Sequence, residues 1–268
     1  PDASPVTPDA DAQTAAATAL ASADCVVDRI YGWARADALS DLDSQGAKLS
    51  APSRVAGIAI AYALVRPLAT PGARQAVIES WLRARSHDAM TFFDTEAPPR
   101  ASQNNLRAWA ALEAAQVGVL LDDTEILDWA AASIRLVACT ANPDGSLPNE
   151  MWRGKLALHY HIHAVSPLVV GAALLARARP GLFQACDNAI PRIAGFAIAA
   201  AQDPKLAEAR AGKPQSFNPD PAKLKAYEFA WITAYLTQID DPDIAAFGNQ
   251  FKTLGNSKLG GNQSLIWN

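Results

Sequence analysis

Arg153 and Tyr160 stand seven residues apart in the segment Leu147-Pro148-Asn149-Glu150-Met151-Trp152-Arg153-Gly154-Lys155-Leu156-Ala157-Leu158-His159-Tyr160. Seven steps of about 100° bring an α-helix nearly back to its starting face, so the spacing predicts a guanidinium and a phenol lining one cleft, roughly 10 Å apart along the axis. A guanidinium grips a carboxylate in a two-pronged fork, and imidazoles titrate near neutrality. His159, His161 and His163 supply the imidazoles, and Asn104-Asn105-Leu106-Arg107-Ala108-Trp109 upstream supplies two amides. Residues of these types suit chemistry on an acidic sugar.

Each residue also has a structural reading. Tyr160 alone suits a core phenol with its hydroxyl satisfied, and Arg153 alone a solvated or paired surface charge. Asn104 and Asn105 precede the apolar periodicity of Leu106, Trp109 and Ala110, where an amide either caps a helix or donates to a substrate carboxylate or hydroxyl. Trp109 and Trp231 suit either a sugar groove or the core of a helical protein. On a helix His159 and His163 share a face, but no carboxylate or thiolate at ligand spacing completes a set, and Glu150 lies outside any H-E-x-x-H pattern. No metal or other cofactor is expected.

The elements that must carry these residues are helical. Of 268 residues half are hydrophobic, alanine dominates, and apolar positions recur at three- and four-residue intervals, as at Val55, Ile58, Tyr62 and Val65 and at Ile126, Ala130, Ile134 and Val137. The pattern predicts helices near 12–39, 53–68, 72–93, 102–121, 124–140, 155–178, 182–201, 223–238 and 242–253. Short links favour antiparallel hairpins in one all-α domain over 11–268, stacked as a solenoid or closed into a toroid. Asn142-Pro143-Asp144-Gly145 is a strong turn signal that brings the 124–140 helix back toward the Arg153 segment. Residues 1–10, with their prolines and aspartates, read as a disordered arm, and 203–225, with four prolines, as a mobile, mildly basic loop.

The formal charge of −4 and pI of about 5.6 give no global positive field for nucleic acid or an anionic membrane, so an anionic ligand needs a locally basic cleft. The longest apolar stretch, around Ala164 to Ala176, is interrupted by Ser166 and Pro167 and reads as too short to span a bilayer, so a soluble chain is expected. Cys25, Cys139 and Cys186 permit at most one internal disulfide and leave one thiol over. A start at Pro1 without Met fits an exported, trimmed chain.

Five ordered blocks carry a resemblance to a known family: Trp33-Ala34-Arg35-Ala36-Asp37-Ala38-Leu39; Asn104-Asn105 with Trp109; Leu147-Pro148-Asn149-Glu150 with Arg153, Ala157, Leu158, Tyr160 and His161; Phe229-Ala230-Trp231; and Phe251-Lys252 with Leu259-Gly260-Gly261. From about Cys25 to the C-terminus the chain resembles the alginate lyases of polysaccharide lyase family 5. The resemblance implies an incomplete (α/α) toroid and β-elimination on an acidic polysaccharide: the uronate carboxylate is neutralised, the C5 proton is removed, and the bond to O4 breaks, leaving a 4,5-unsaturated uronate. Carried over by position, Tyr160 is the proton-transfer residue, and Arg153 and Asn105 stabilise the carboxylate. His161 joins the expected catalytic set, with Asn104, Arg107, Trp109, Asn149, His159 and Trp231 expected on the substrate.

The chain departs from the family at Leu106, where the family has a His after the paired Asn. Leucine neither exchanges a proton nor donates a hydrogen bond. Arg107, His159 or His161 is a candidate to cover that role. The leading expectation is a lyase for a uronate-containing bacterial exopolysaccharide other than plain polymannuronate. The alternatives are a mannuronate-type alginate lyase and a catalytically weak relative that binds exopolysaccharide. A periplasmic or secreted location follows from an exported substrate.

Overall fold

Asn104, in extended conformation, turns its side-chain oxygen onto the Leu106 amide at 2.9 Å and so starts the helix around which the rest of the chain is wrapped. The structure, a computed structural model, describes residues 10–267; the expected arm at 1–10 falls, but for Ala10, outside them. Twelve α-helices are present among the described residues: α1 (Ala10–Arg35), α2 (Gln45–Ser50), α3 (Pro52–Val65), α4 (Ala73–Thr95), α5 (Asn105–Leu121), α6 (Thr124–Ala138), α7 (Pro148–Met151), α8 (Ala157–Leu175), α9 (Ala185–Gln202), α10 (Lys205–Ala211), α11 (Ile232–Leu236) and α12 (Pro242–Gly248). Near the C-terminus two short antiparallel strands, β1 (Gly255–Asn256) and β2 (Gly261–Asn262), flank a 3₁₀ turn at Ser257–Leu259. The architecture is all-α, an incomplete toroid of helix hairpins.

Helix α5 is buried along most of its length and packs against α3, α4, α6 and α8. Small residues let these axes approach. At Gly171 of α8, a Cβ would meet the Ile134 side chain at 3.0 Å and the Leu112 Cα at 3.7 Å. The predicted stripe Ile126, Ala130, Ile134 and Val137 of α6 is buried as its periodicity requires. The Asn142–Gly145 turn forms with Gly145 at φ 90°, its amide donating to the Asn142 carbonyl at 2.8 Å.

The apolar stretch on α8 is longer than its sequence reading. Gly154–Leu175, 22 residues, is long and apolar enough to cross a bilayer by length and composition, yet most of it is buried inside the domain as a core helix. Expected elements near the C-terminus are also corrected. In place of a helix over 223–238 stand 3₁₀ turns at Pro221–Lys223 and Ala226–Glu228, then α11; burial of Phe229, Ala230 and Trp231 outweighs the local helical pattern. Helix α12 stops at Gly248, which packs against Ile232. Part of the expected 203–225 loop is α10, preceded by Pro204 and closed by Gly212 at φ 64°.

Cys139 and Cys186 form the disulfide, joining the end of α6 to the start of α9, and Cys25 is a free, exposed thiol. At that junction Cys186, Asp187 and Asn188 all adopt left-handed backbone, φ 52–58°. Arg192 clamps the turn, donating to the carbonyls of Cys186, Asp187 and Asn142.

Candidate active site

Glu150, fully buried, organises one side of the site. Its carboxylate accepts from the Asn105 backbone amide at 2.8 Å and from Asn105 Nδ2 at 3.0 and 3.1 Å, and Arg153 Nε stands 3.6 Å away, an ion pair without a hydrogen bond. Burial pushes the Glu150 carboxyl above its ordinary range, opposed by the Asn105 bonds and then by the Arg153 charge. Asn149 Nδ2 donates to the Gln103 carbonyl at 3.0 Å, tying α7 to the segment before α5. Asn104 caps α5, and the Asn105 amide is committed to Glu150.

Arg153 and Tyr160 do meet, by a different route from the predicted one. Arg153 follows α7 outside any helix; Gly154 takes φ 60°, a 3₁₀ turn runs over Gly154–Leu156, and only then does α8 begin. This turn folds the guanidinium back over the phenol, with Arg153 Cζ 3.9 Å from the Tyr160 ring centroid. The Tyr160 hydroxyl makes no hydrogen bond among the described residues, and neither does the buried Arg153 Nε.

Along the first turns of α8, His159 lies edge-on to Tyr160 at 5.2 Å and parallel to His163 at 6.4 Å, the i, i+4 face expected of a helix. His163 packs on Trp109 at 5.0 Å. The Ser257–Leu259 turn brings Lys258 Nζ over the same indole at 5.2 Å; it seats against α3 at Gly57, where any Cβ would collide with the Ser257 carbonyl. Burial, and after it the charges of Lys258, His159 and Arg153, push His163 down to about 3, so its imidazole is neutral at physiological pH. Burial and then the Arg54 charge lower Lys258, which pairs with no carboxylate among the described residues. The opposing acid is Glu228, 3.7 Å from His159 Nδ1. His159, His163, Ser166, Tyr227, Glu228 and Lys258 line a cavity of about 340 Å³. Lys258, unpaired among the described residues, and Glu228 are thus the charged groups facing one another across this cavity.

Several expected site residues face elsewhere. His161, fully buried, points away from its neighbours: Nε2 is 3.2 Å from the Ile193 carbonyl, the ring packs on Phe196, and burial lowers it to about 4. Arg107 is held by Asp94 at 2.7 Å, the Phe93 carbonyl and Ser133, with its guanidinium over Trp129. Trp231 is fully buried against Tyr235. Trp109 forms the buried wall beneath His163 and Lys258 rather than an open stacking surface. Leu106, half-buried, packs on the Phe92, Phe93 and Ala110 cluster. Glu150, His163, Lys258 and Glu228 are the participants the site reading passed over. The shared face of His159 and His163 was a usable signal; Lys258 and Glu228 had none, because their approach depends on long-range packing.

The family model described as Alginate lyase matches residues 9–207. An alginate lyase of Pseudomonas fluorescens strain Pf-5 is 27% identical over 252 residues, 91% of this chain and 66% of the relative; one of Cobetia marina is 26% identical over 251, with the same shares. The chain thus spans just under two thirds of the length of these curated relatives. Among solved structures, alginate lyase A1-III from Sphingomonas species A1 superposes with a TM-score of 0.79 at 26% identity, covering 92% of this chain and 69% of that one. A tyrosine-to-phenylalanine variant of A1-III complexed with tetrasaccharide superposes with a TM-score of 0.80 at 25% identity, with shares of 92% and 70%.

Proposed function

Because this chain belongs to the alginate lyase family, we propose that it is a polysaccharide lyase that cleaves a uronate-containing polysaccharide by β-elimination. The observation that carries the reading is the Arg153 guanidinium stacked 3.9 Å over Tyr160, one turn before His163, on which the charges of both Arg153 and Lys258 act. A proton α to a carboxylate is too weakly acidic to be removed unless fixed charges meet the negative charge that develops there. Arg153 and Lys258 supply that charge. Tyr160, its oxygen free of protein partners among the described residues, carries the proton transfer: acting as the base it takes the C5 proton in its phenolate form, the C5–H electron pair becomes the C4–C5 double bond, the C4–O4 pair leaves with O4, and O4 receives the proton back from Tyr160. His163, as a neutral imidazole, has one donor and one acceptor for sugar hydroxyls, and His159 stands between Tyr160 and Glu228.

Alginate, the substrate that the relatives' names state, is the first polymer to test, beside polyglucuronate, hyaluronan and branched bacterial exopolysaccharides. The ultraviolet absorbance of the unsaturated product reports cleavage. Tyr160→Phe, which removes one hydroxyl and little packing, is expected to lower kcat at least about 10²-fold while binding stays within a few-fold. Retention of more than roughly a tenth of wild-type kcat overturns the role of Tyr160.

A second reading, a catalytically weak relative that binds exopolysaccharide, draws on Leu106 and on the engagement of the Asn105 amide by Glu150. Polymer binding with no unsaturated product on any substrate decides for it. Action outside the cytoplasm, in the periplasm or secreted, belongs to the same proposal and is supported by the Cys139–Cys186 disulfide. Recovery of the protein only in a cytosolic fraction counts against it.

A further inference from the structure

Trp152, immediately before Arg153, is 67% exposed, more than any other large apolar side chain among the described residues. Arg100, itself exposed, lies over its ring with Cζ 3.5 Å from the centroid. Arg100 is carried by the turn that precedes α5. The Gln103 amide donates to the Arg100 carbonyl at 3.3 Å, and the Gln103 carbonyl accepts from Asn149 Nδ2, which fastens that turn to α7. The Glu150–Asn105 contact joins the same two segments, with Trp152 two residues after Glu150 and Arg100 five before Asn105. The Arg100–Trp152 pair is thus held beside the site by its own chain on both sides.

Its charge is open to a ligand. Arg100 forms no ion pair among the described residues, and stacking leaves the edge of its guanidinium free to fork onto a carboxylate. On the other side of Arg153, Lys213 lies against Gly154, where a Cβ would sit 3.7 Å from its Cγ, and Lys213 likewise has no acid partner among the described residues. The one acid between residues 147 and 157 is Glu150, which is buried and engaged with Asn105. Positive charge is therefore concentrated around the α7–α8 connection of a chain whose net charge is −4. The Arg153–Tyr160 pair, with its guanidinium 3.9 Å from the ring, repeats the arrangement, and the two pairs meet at consecutive residues, 152 and 153.

We propose that Arg100 and Trp152 form a second sugar subsite, which binds the carboxylate of another uronate unit of the polymer held by Arg153 and Tyr160. The inference rests on the lyase reading above and adds that recognition extends to a second acidic unit on the α7 side. Arg100 takes the carboxylate, its guanidinium already oriented by the indole, so less freedom is lost on binding. With one face under Arg100 and two thirds of the side chain still in solvent, the other face of Trp152 is open to the C–H face of a pyranose.

Binding is the test, since it does not require turnover. In the Tyr160→Phe background, titration calorimetry measures tetramannuronate, tetraglucuronate and the uncharged mannotetraose. At least one acidic tetrasaccharide should bind more tightly than mannotetraose, and Arg100→Ala and Trp152→Ala should each weaken it about tenfold, the loss expected of one charge-assisted contact. Arg100→Lys, which keeps the charge without the planar fork, should fall between. Tryptophan emission should change on binding in the parent and much less in Trp152→Phe, a signature that a contact serving stability alone would not give. Both positions are exposed, and the melting midpoint of each variant checks that folding is kept. Affinity unchanged by both alanine variants overturns the inference, as does an emission change that Trp152→Phe retains in full, or binding of neither acidic tetrasaccharide. Failure of the lyase reading shows separately, as wild-type protein that releases no unsaturated product from any polymer while Arg100→Ala still weakens binding.

Discussion

His161 and His163 are two residues apart on one helix and occupy opposite chemical situations, which makes them a direct test of how the site is composed. His163 lies against Trp109 among Arg153, His159 and Lys258, whereas His161 spends its Nε2 on the Ile193 carbonyl in the core. His163→Ala is expected to lower kcat/KM about tenfold or more with little change in thermal midpoint. His161→Leu should leave kcat/KM within a few-fold and register as a change in stability, through a lost hydrogen bond of about 1 kcal/mol net. Steady-state kinetics and melting curves on the two variants separate these outcomes; reversal of the pattern sinks the assignment. Leu106 is the other decisive residue. It packs on Phe92 and Phe93 where the family carries an imidazole, so Leu106→His returns a polar ring to that position, next to Asn105. For a lyase of altered specificity the substitution should shift cleavage toward polymannuronate or reduce the native activity; measured on one polymer panel, strong wild-type cleavage of polymannuronate unimproved by it would show that the imidazole is not needed here.

At the scale of elements, the site depends on a turn that reaches in from the far end of the chain. Ser257–Leu259 sits between β1 and β2 and carries Lys258 onto Trp109, and its approach to α3 is possible because residue 57 is glycine. A Cβ there runs into backbone, which cannot rotate aside as a long side chain can. Gly57→Ala should therefore displace the turn, cost about 1–3 kcal/mol of stability and raise KM more than it lowers kcat, because Lys258 meets the carboxylate in ground and transition states alike. Unchanged KM and unchanged melting would refute this account of the turn. The Arg153 turn works by the same means in reverse: Gly154 at φ 60° lets the chain leave α7 and enter α8 with the guanidinium folded onto Tyr160.

Across the whole molecule, buried titratable groups make stability depend on pH with a sign that can be worked out. Glu113 keeps its proton in the folded protein to about 8, whereas in the unfolded chain it loses it near 4.5. Between those values the folded state binds more protons, so stability is fully present below the unfolded pKa and falls as pH rises toward 8. His161 and His163, lowered to about 4 and 3 from 6.5, act oppositely: the unfolded chain binds more protons below 6.5, so their contribution rises with pH up to that value and is constant above it. From pH 6.5 to 8 only the Glu113 slope remains of these three, about 1.4 kcal/mol per pH unit at most for one proton. Glu113→Gln, an isostere of the protonated acid, should match wild type near pH 5 and exceed it near pH 8. Denaturant unfolding at the two pH values checks this, and parallel pH profiles for both proteins would rule it out.

The sequence by itself determined what is local and repetitive. Helical periodicity set the all-α class and the buried stripe of α6, Pro and Gly set the Asn142–Gly145 turn, and the ordered blocks around Asn105, Arg153 and Tyr160 pointed to the family. Side-chain spacing along one helix also sufficed for His159 facing His163. Tertiary structure decided which of these residues can touch a ligand. Glu150 receives Asn105 across 45 positions of sequence, Lys258 reaches Trp109 from the C-terminal turn, and Trp231, Arg107 and His161 are drawn into the core by neighbours that no local pattern names. Even the Arg153–Tyr160 contact came from a turn rather than the helical repeat that predicted it. Periodicity is written along the chain, but burial and charge pairing depend on which distant surfaces meet, and those are chosen only when the helices pack.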